Sequence, residues 1–150
     1  MVAELSTLSP ADAAEKMLIQ GVPGMRTLTS DDLPEDNYFG DGVYARGLFR
    51  PAGAMIVGAE HKDAHLSILL FGRLRVLSGG EVREIVGPSK PFLSMPGRKV
   101  TFALEDSYLI TFHANPADER DMDKIEDALI THTPAFLDWR EQRRLMEGAK

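Results

Sequence analysis

Between residues 43 and 113 the chain is a succession of short apolar or alternating runs, each stopped by glycine, proline or a polar turn. This punctuation constrains the fold more than any other feature. Val43–Arg50 alternates and stops at Pro51-Ala52-Gly53, Met55–Val57 is apolar, and His65–Phe71 is apolar up to Gly72. Residues 73–77 alternate and close at Ser78-Gly79-Gly80, a hairpin turn signal. Residues 82–86 run to Gly87-Pro88, and residues 92–95 run to Pro96-Gly97. Residues 100–104 and 108–113 flank a turn at Glu105-Asp106-Ser107, which reads as a hairpin bringing residue 113 back beside Arg98. Many short strands separated by such turns predict a sandwich or barrel. No helix-length periodicity interrupts them, which argues against a parallel α/β sheet.

Helical signals flank this region. Ser9 suits an N-cap, Pro10 the first helical position, and Ala13, Ala14, Met17 and Leu18 form an apolar stripe that Gly21 terminates. Residues 27–42 read as an irregular acidic connector. After Asn115-Pro116, Met122, Ile125 and Leu129 recur at helical spacing, and Thr133-Pro134 caps a last helix carrying Phe136, Trp139 and Met146. The expected organisation is one domain: helix and connector over 1–42, barrel over 43–115, and two helices over 116–150 that pack outside the barrel or on a partner chain. The core is expected at Leu66, Ile68, Leu70, Leu74, Val76, Val100, Phe102, Ile110 and Phe112.

Composition narrows the function classes. The chain has 150 residues, enough to bury a sizeable core. It contains no cysteine, which removes disulfides, thiolate nucleophiles and Cys-type zinc sites. The net charge is −6, and the one basic cluster, Arg140, Arg143 and Arg144, is diluted by Glu141 and Glu147. That balance is opposite to what displaces counterions from phosphates, so no nucleic-acid partner is expected. No apolar run reaches the roughly 18 residues of a membrane span, and residues 1–10 lack the basic flank and apolar stretch of a signal peptide. A cytoplasmic protein is expected. No phosphate loop, Ser-His-Asp set or paired-carboxylate signature is present.

The informative segment runs from Gly53 to Gly72. It resembles the first motif of the cupin superfamily: Gly, five residues, His, one, His, three or four, Glu, six, Gly. Gly53 opens the pattern, Ala59 stands where the first His belongs, His61 matches the second, His65 stands where Glu belongs, and Gly72 closes it. On one straight strand, residues four apart would be about 13 Å from each other, too far to share an ion. A bend at Lys62-Asp63-Ala64 would let His61 and His65 converge. The second cupin motif is eroded: Pro96-Gly97 is present, but Val100 and Thr101 stand where its His would be. His113 is a substitute third ligand, although a strand-end histidine also suits a purely structural role. His132 reads as a solvated residue, and Glu60 should point away from His61 because strand neighbours alternate.

The resemblance implies an all-β, cupin-type jelly-roll barrel. It also implies a metal site at His61, His65 and His113 for a divalent transition metal such as Zn, Fe, Ni, Cu or Mn, and a homodimer. A narrower similarity, over roughly residues 43–130, is to small single-domain cupin-like proteins encoded by tailed bacteriophages. It rests on Val43-Tyr44-Ala45-Arg46, Pro51-Ala52-Gly53, His61-Lys62, His65, Gly72, Pro96-Gly97, Glu105-Asp106, His113 and the segment 123–127. That resemblance places the protein in the host cytoplasm or the virion. Two classes of function remain open at this stage. One is metal-dependent small-molecule chemistry by an isomerase, lyase or dioxygenase; the other is a non-catalytic structural or binding module.

Overall fold

A computed structural model of the protein describes residues 33–148, so the helix expected over residues 9–21 lies outside the described residues. These residues form nine strands and two helices. The strands are β1 (Glu35–Gly40), β2 (Val43–Arg50), β3 (Met55–Val57), β4 (His65–Phe71) and β5 (Arg73–Ser78), then β6 (Glu81–Val86), β7 (Phe92–Ser94), β8 (Val100–Ala103) and β9 (Ser107–Ala114). The helices are α1 (Met122–Leu129) and α2 (Pro134–Gly148). A five-stranded sheet runs β1-β2-β9-β4-β7 and a four-stranded sheet runs β3-β8-β5-β6. Every pairing is antiparallel. The architecture is the expected all-β jelly roll.

The turn at Gly79-Gly80 joins β5 to β6 as a two-residue hairpin, with Ser78 opposite Glu81. Gly72, at φ +91°, closes the join of β4 to β5. An added Cβ there would overlap Ser107 Oγ and the Asp106 carbonyl, so both conformation and space demand glycine.

Three expectations are corrected. The stretch expected to be an irregular connector holds β1, which pairs with β2 through Asp36↔Gly47 and Tyr38↔Ala45. The turn at residues 105–107 makes no hairpin: β8 pairs with β3 and β5, while β9 crosses to the other sheet to pair with β2 and β4. The third correction is the inward face of β4 and β9. Leu69, Leu74, Ile85 and Ala103 form one buried cluster, with Val76, Phe92 and Leu109 packed on it. Val100 anchors another with Met55, Val57 and Leu77. Leu74, Val76 and Val100 thus fall where expected, but Leu66 and Leu70 are 51% and 45% exposed. Ile68, Ile110 and Phe112 lie on the same outer face, since Leu66 pairs with Phe112 and Ile68 with Ile110. The inward residues of these strands are His65, Ser67 and Leu69, facing Leu109, Thr111 and His113.

The tail is fastened to the barrel. Asp121 caps α1 by accepting from the Asp123 amide, and the Thr133 hydroxyl accepts from the Phe136 amide at the start of α2. The Lys62 amide donates to the Leu129 carbonyl (2.9 Å) and the Thr131 amide to Glu60 (2.8 Å), so the exit from α1 lies against residues 60–62. The arginine cluster is engaged with acids of α1. Arg140 bonds Asp127 at 2.7 Å, Arg143 bonds Glu126 at 2.8 Å, and Arg144 bonds Asp123 at 2.8 Å. Phe136 is buried, and the Trp139 ring lies under the Arg143 guanidinium at 4.5 Å. No helix among the described residues is long and apolar enough to cross a membrane.

Candidate metal centre

His61 is held between two segments, bridged to Gly97 on one side and to Ile130 on the other. The chain then bends over residues 62–64, and His65 begins β4. The bend expected from spacing is present. It brings the two rings to a centroid separation of 4.7 Å, far from the roughly 13 Å of a straight strand. His113 arrives from β9, where its register partner on β2 is Tyr44, whose ring stacks on it at 5.9 Å. The His65 and His113 rings are 4.6 Å apart. One ring nitrogen from each of His61, His65 and His113 lies within 4.8 Å of the others.

Burial sets the charge of this cluster. His113 and His65 are 6% and 8% exposed, and His61 is partly buried. Burial, followed by the neighbouring His65 and His61, pushes the His113 pKa down to about 3. Burial first, then His65, Lys99 and Arg46, pushes His61 down to about 4, against an opposing hydrogen bond to the Ala59 carbonyl. Burial also lowers His65, against an opposing bond to the Asp63 carbonyl. All three imidazoles are therefore neutral near pH 7, the form that ligates metal. One nitrogen of His65 faces the Asp63 carbonyl at 3.4 Å, and His113 Nε2 faces Thr111 Oγ1 at 2.9 Å. A hydrogen bond at one ring nitrogen fixes ring orientation and would leave the other to bind.

The donor set fits a transition ion. Imidazole suits Zn, Cu, Fe and Ni, whereas Mn prefers carboxylates, and among the described residues no carboxylate joins the group. Bond lengths of about 2.0–2.1 Å would draw closer together nitrogens that already lie within 4.8 Å of one another. Three protein ligands are also the number that leaves an ion an open position. Ala59, at the position where the cupin motif carries a further histidine, lines the cavity with only a methyl group.

That cavity measures about 90 Å³ and is lined by His61, His65, Ala59, Arg50, Lys99 and hydroxyl residues including Ser67, Ser94, Thr101 and Thr111. It shares Ser94, Lys99, Thr101 and Leu109 with a larger cavity of about 1040 Å³. Glu60 lines the larger cavity and not the smaller one, as its alternation with His61 implies. His132 stands apart, paired with Asp127 at 2.9 Å and 42% exposed at its side chain.

Sequence reasoning missed Arg50, Lys99 and the hydroxyl lining. One signal was available: Arg46, Leu48 and Arg50 share a face of β2 with Tyr44, so two arginines interrupt an inward-facing series. Lys99 falls in the stretch where the second cupin motif would carry its histidine.

No family model and no curated protein matches the sequence. Solved structures do match. One is KdgF from Halomonas sp., at 18% identity and TM-score 0.51, covering 65% of this chain and 88% of that one. Another is a mutant of salicylate 1,2-dioxygenase from Pseudoaminobacter salicylatoxidans, at 13% identity and TM-score 0.55. It covers 81% of this chain, which spans 36% of that larger enzyme. An RmlC-like cupin from Shewanella frigidimarina matches at 17% identity and TM-score 0.49, over 69% of this chain and 91% of that one. At such identities likeness speaks for fold alone; the first two, at TM-scores above 0.5, agree with the two antiparallel sheets, and the chain has the cupin-type jelly-roll fold.

Proposed function

We propose that this protein binds one divalent transition metal through His61, His65 and His113 and acts on a small organic ligand in the adjoining cavity. The reaction class is that of a metal-dependent isomerase, lyase or dioxygenase. A single observation carries this reading: three neutral imidazoles from three separate segments converge on one point beside a cavity. A bound ion would supply Lewis acidity to polarise an oxygen of the ligand or to activate water or oxygen. The chain's own residues orient the imidazoles, leave space at Ala59 and exclude bulk solvent. One of the matching structures is a salicylate 1,2-dioxygenase, and chemistry on a small organic molecule of that broad kind is part of this reading.

Elemental analysis of purified protein tests the reading. Close to one equivalent of Zn, Fe, Ni or Cu is expected in the parent and none in the His61→Ala/His65→Ala double variant. A folded parent that takes up no metal from a buffered supply would refute it. That result would favour the non-catalytic binding or structural module implied by the bacteriophage-encoded resemblance.

A further inference from the structure

Arg50 is the strongest unexplained group in the molecule. It is 9% exposed, at the end of β2, and lines the cavity beside the histidines. One guanidinium nitrogen donates to Thr101 Oγ1, while Nε has no hydrogen-bond partner. Among the described residues no carboxylate pairs with it. The contrast with its neighbour on the same face is informative: Arg46 is paired with Glu35 at 2.6 Å. Lys99 adds a second cation to the same lining, and its ammonium is met by the Met95 carbonyl, which carries no charge. No Asp or Glu appears among the described residues lining this cavity. Among the described residues, two cations thus face one small space with no carboxylate in its lining, in a chain whose net charge is −6.

A buried charge without a counterion is destabilising, and removing it in favour of an apolar side chain of similar volume is commonly neutral or stabilising. A guanidinium presents its N–H groups as a planar fork that matches the two oxygens of a carboxylate. We propose that Arg50, assisted by Lys99, is the anchor for the carboxylate of a small organic acid, which makes the ligand of this cavity an anion. An orientation that turns the acid's other end toward His61, His65 and His113 rests on the metal-site reading; the carboxylate anchor does not. A phosphate is the less favoured anion, because the four lining hydroxyls that could serve its further oxygens are already engaged, Ser67 with Ser94, Thr101 with Arg50 and Thr111 with His113.

The test is calorimetry and thermal melting with pyruvate, pyruvamide and inorganic phosphate, on chelator-treated and on metal-loaded protein. Pyruvate is expected to bind both forms, and pyruvamide, which lacks the charge, to bind roughly 100-fold more weakly. Arg50→Met should lose pyruvate binding by a similar factor and retain the parent's metal content. Without ligand it should melt no lower than the parent and up to about 2–4 °C higher, because the unpaired charge is gone. Should Arg50→Met fail to fold, Arg50→Lys keeps the charge and should keep the preference for pyruvate over pyruvamide, at reduced affinity. Equal binding of pyruvate and pyruvamide would overturn the proposal, as would undiminished pyruvate binding by Arg50→Met, loss of that preference in Arg50→Lys, or phosphate binding tighter than pyruvate. Because the chelator-treated arm holds no metal, failure of the metal reading leaves this result legible on its own.

Discussion

The rings of His61 and His113 lie nearly parallel, 6° between planes and 5.6 Å between centroids, although one sits in a bend before β4 and the other near the end of β9. Packed this closely with His65, each ring has a nitrogen within 4.8 Å of the others, and an ion placed among those nitrogens would bond all three. Replacing any one of His61, His65 or His113 by alanine should therefore weaken metal binding sharply. Outer-shell partners alone are worth about 10–100-fold in affinity, so losing a direct ligand should cost roughly 100-fold or more. His132→Ala should leave affinity unchanged, because its ring pairs with Asp127 away from the cluster. Competitive titration against a chromophoric chelator measures all four variants.

Acid stability should carry the mark of these buried rings. In the unfolded chain a histidine takes up its proton near pH 6.5. In the folded protein His61 does so only at about 4 and His113 at about 3. Between those values and 6.5 the unfolded state holds more protons, so stability rises with pH. It is fully present above pH 6.5 and is lost as pH falls below it, by about 1.4 kcal/mol per pH unit for His113. Urea melts of metal-free protein at pH 7 and pH 5 should show the loss, and His113→Phe should flatten it. A pH-independent midpoint over that range would contradict the burial described.

The fold and the three histidines were legible in the sequence; the face of the sheet that carries them was not. Hydrophobic alternation over β4 favours Leu66, Ile68 and Leu70 as the inward set, yet the inward set is His65, Ser67 and Leu69. The reason is that the inner face of β4 and β9 lines the cavity with His65, Ser67 and Thr111, so near the site it is the less apolar one. The pleat itself held the correction: placing His65 inward obliges Ser67 and Leu69 to follow, and placing His113 inward obliges Thr111 and Leu109. The pairing of β9 was hidden for a different cause. A three-residue turn between two strands reads as a hairpin, and only the closure of both sheets sends β8 and β9 to opposite layers. Arg50 was illegible because a charged residue in a strand ordinarily reads as solvent-facing.

Gly72→Ala should be among the most damaging single-methyl changes in the barrel. The residue sits at φ +91°, and its new Cβ would overlap Ser107 Oγ and the Asp106 carbonyl, both fixed by the start of β9. Ser107 is fully buried and its Oγ accepts from the Arg73 amide at 3.0 Å, so it has little room to yield. Backbone strain and overpacking together should cost on the order of 3 kcal/mol. Thermal melting of the purified variant checks it, and a midpoint within a degree of the parent would show that the turn can relax.

The tail should be coupled to the metal centre through a buried ion pair. Glu126 and Arg140 have side chains only 5% and 8% exposed, and Arg140 also bonds Asp127 and the Asp123 carbonyl. Truncating one partner of such a pair strands the other, at a cost of about 3–5 kcal/mol. Arg143, which also bonds Glu126, should hold Arg140→Ala near the lower end of that range. The consequence for the site follows from connectivity. The Glu126 carbonyl accepts the Ile130 amide that ends α1, and Ile130 is the residue bridged to His61. Loosening α1 should therefore release one side of the His61 segment and weaken metal binding along with stability. An Arg140→Ala protein that melts lower but binds metal as tightly as the parent would show that Gly97, on the other side of His61, suffices to position it.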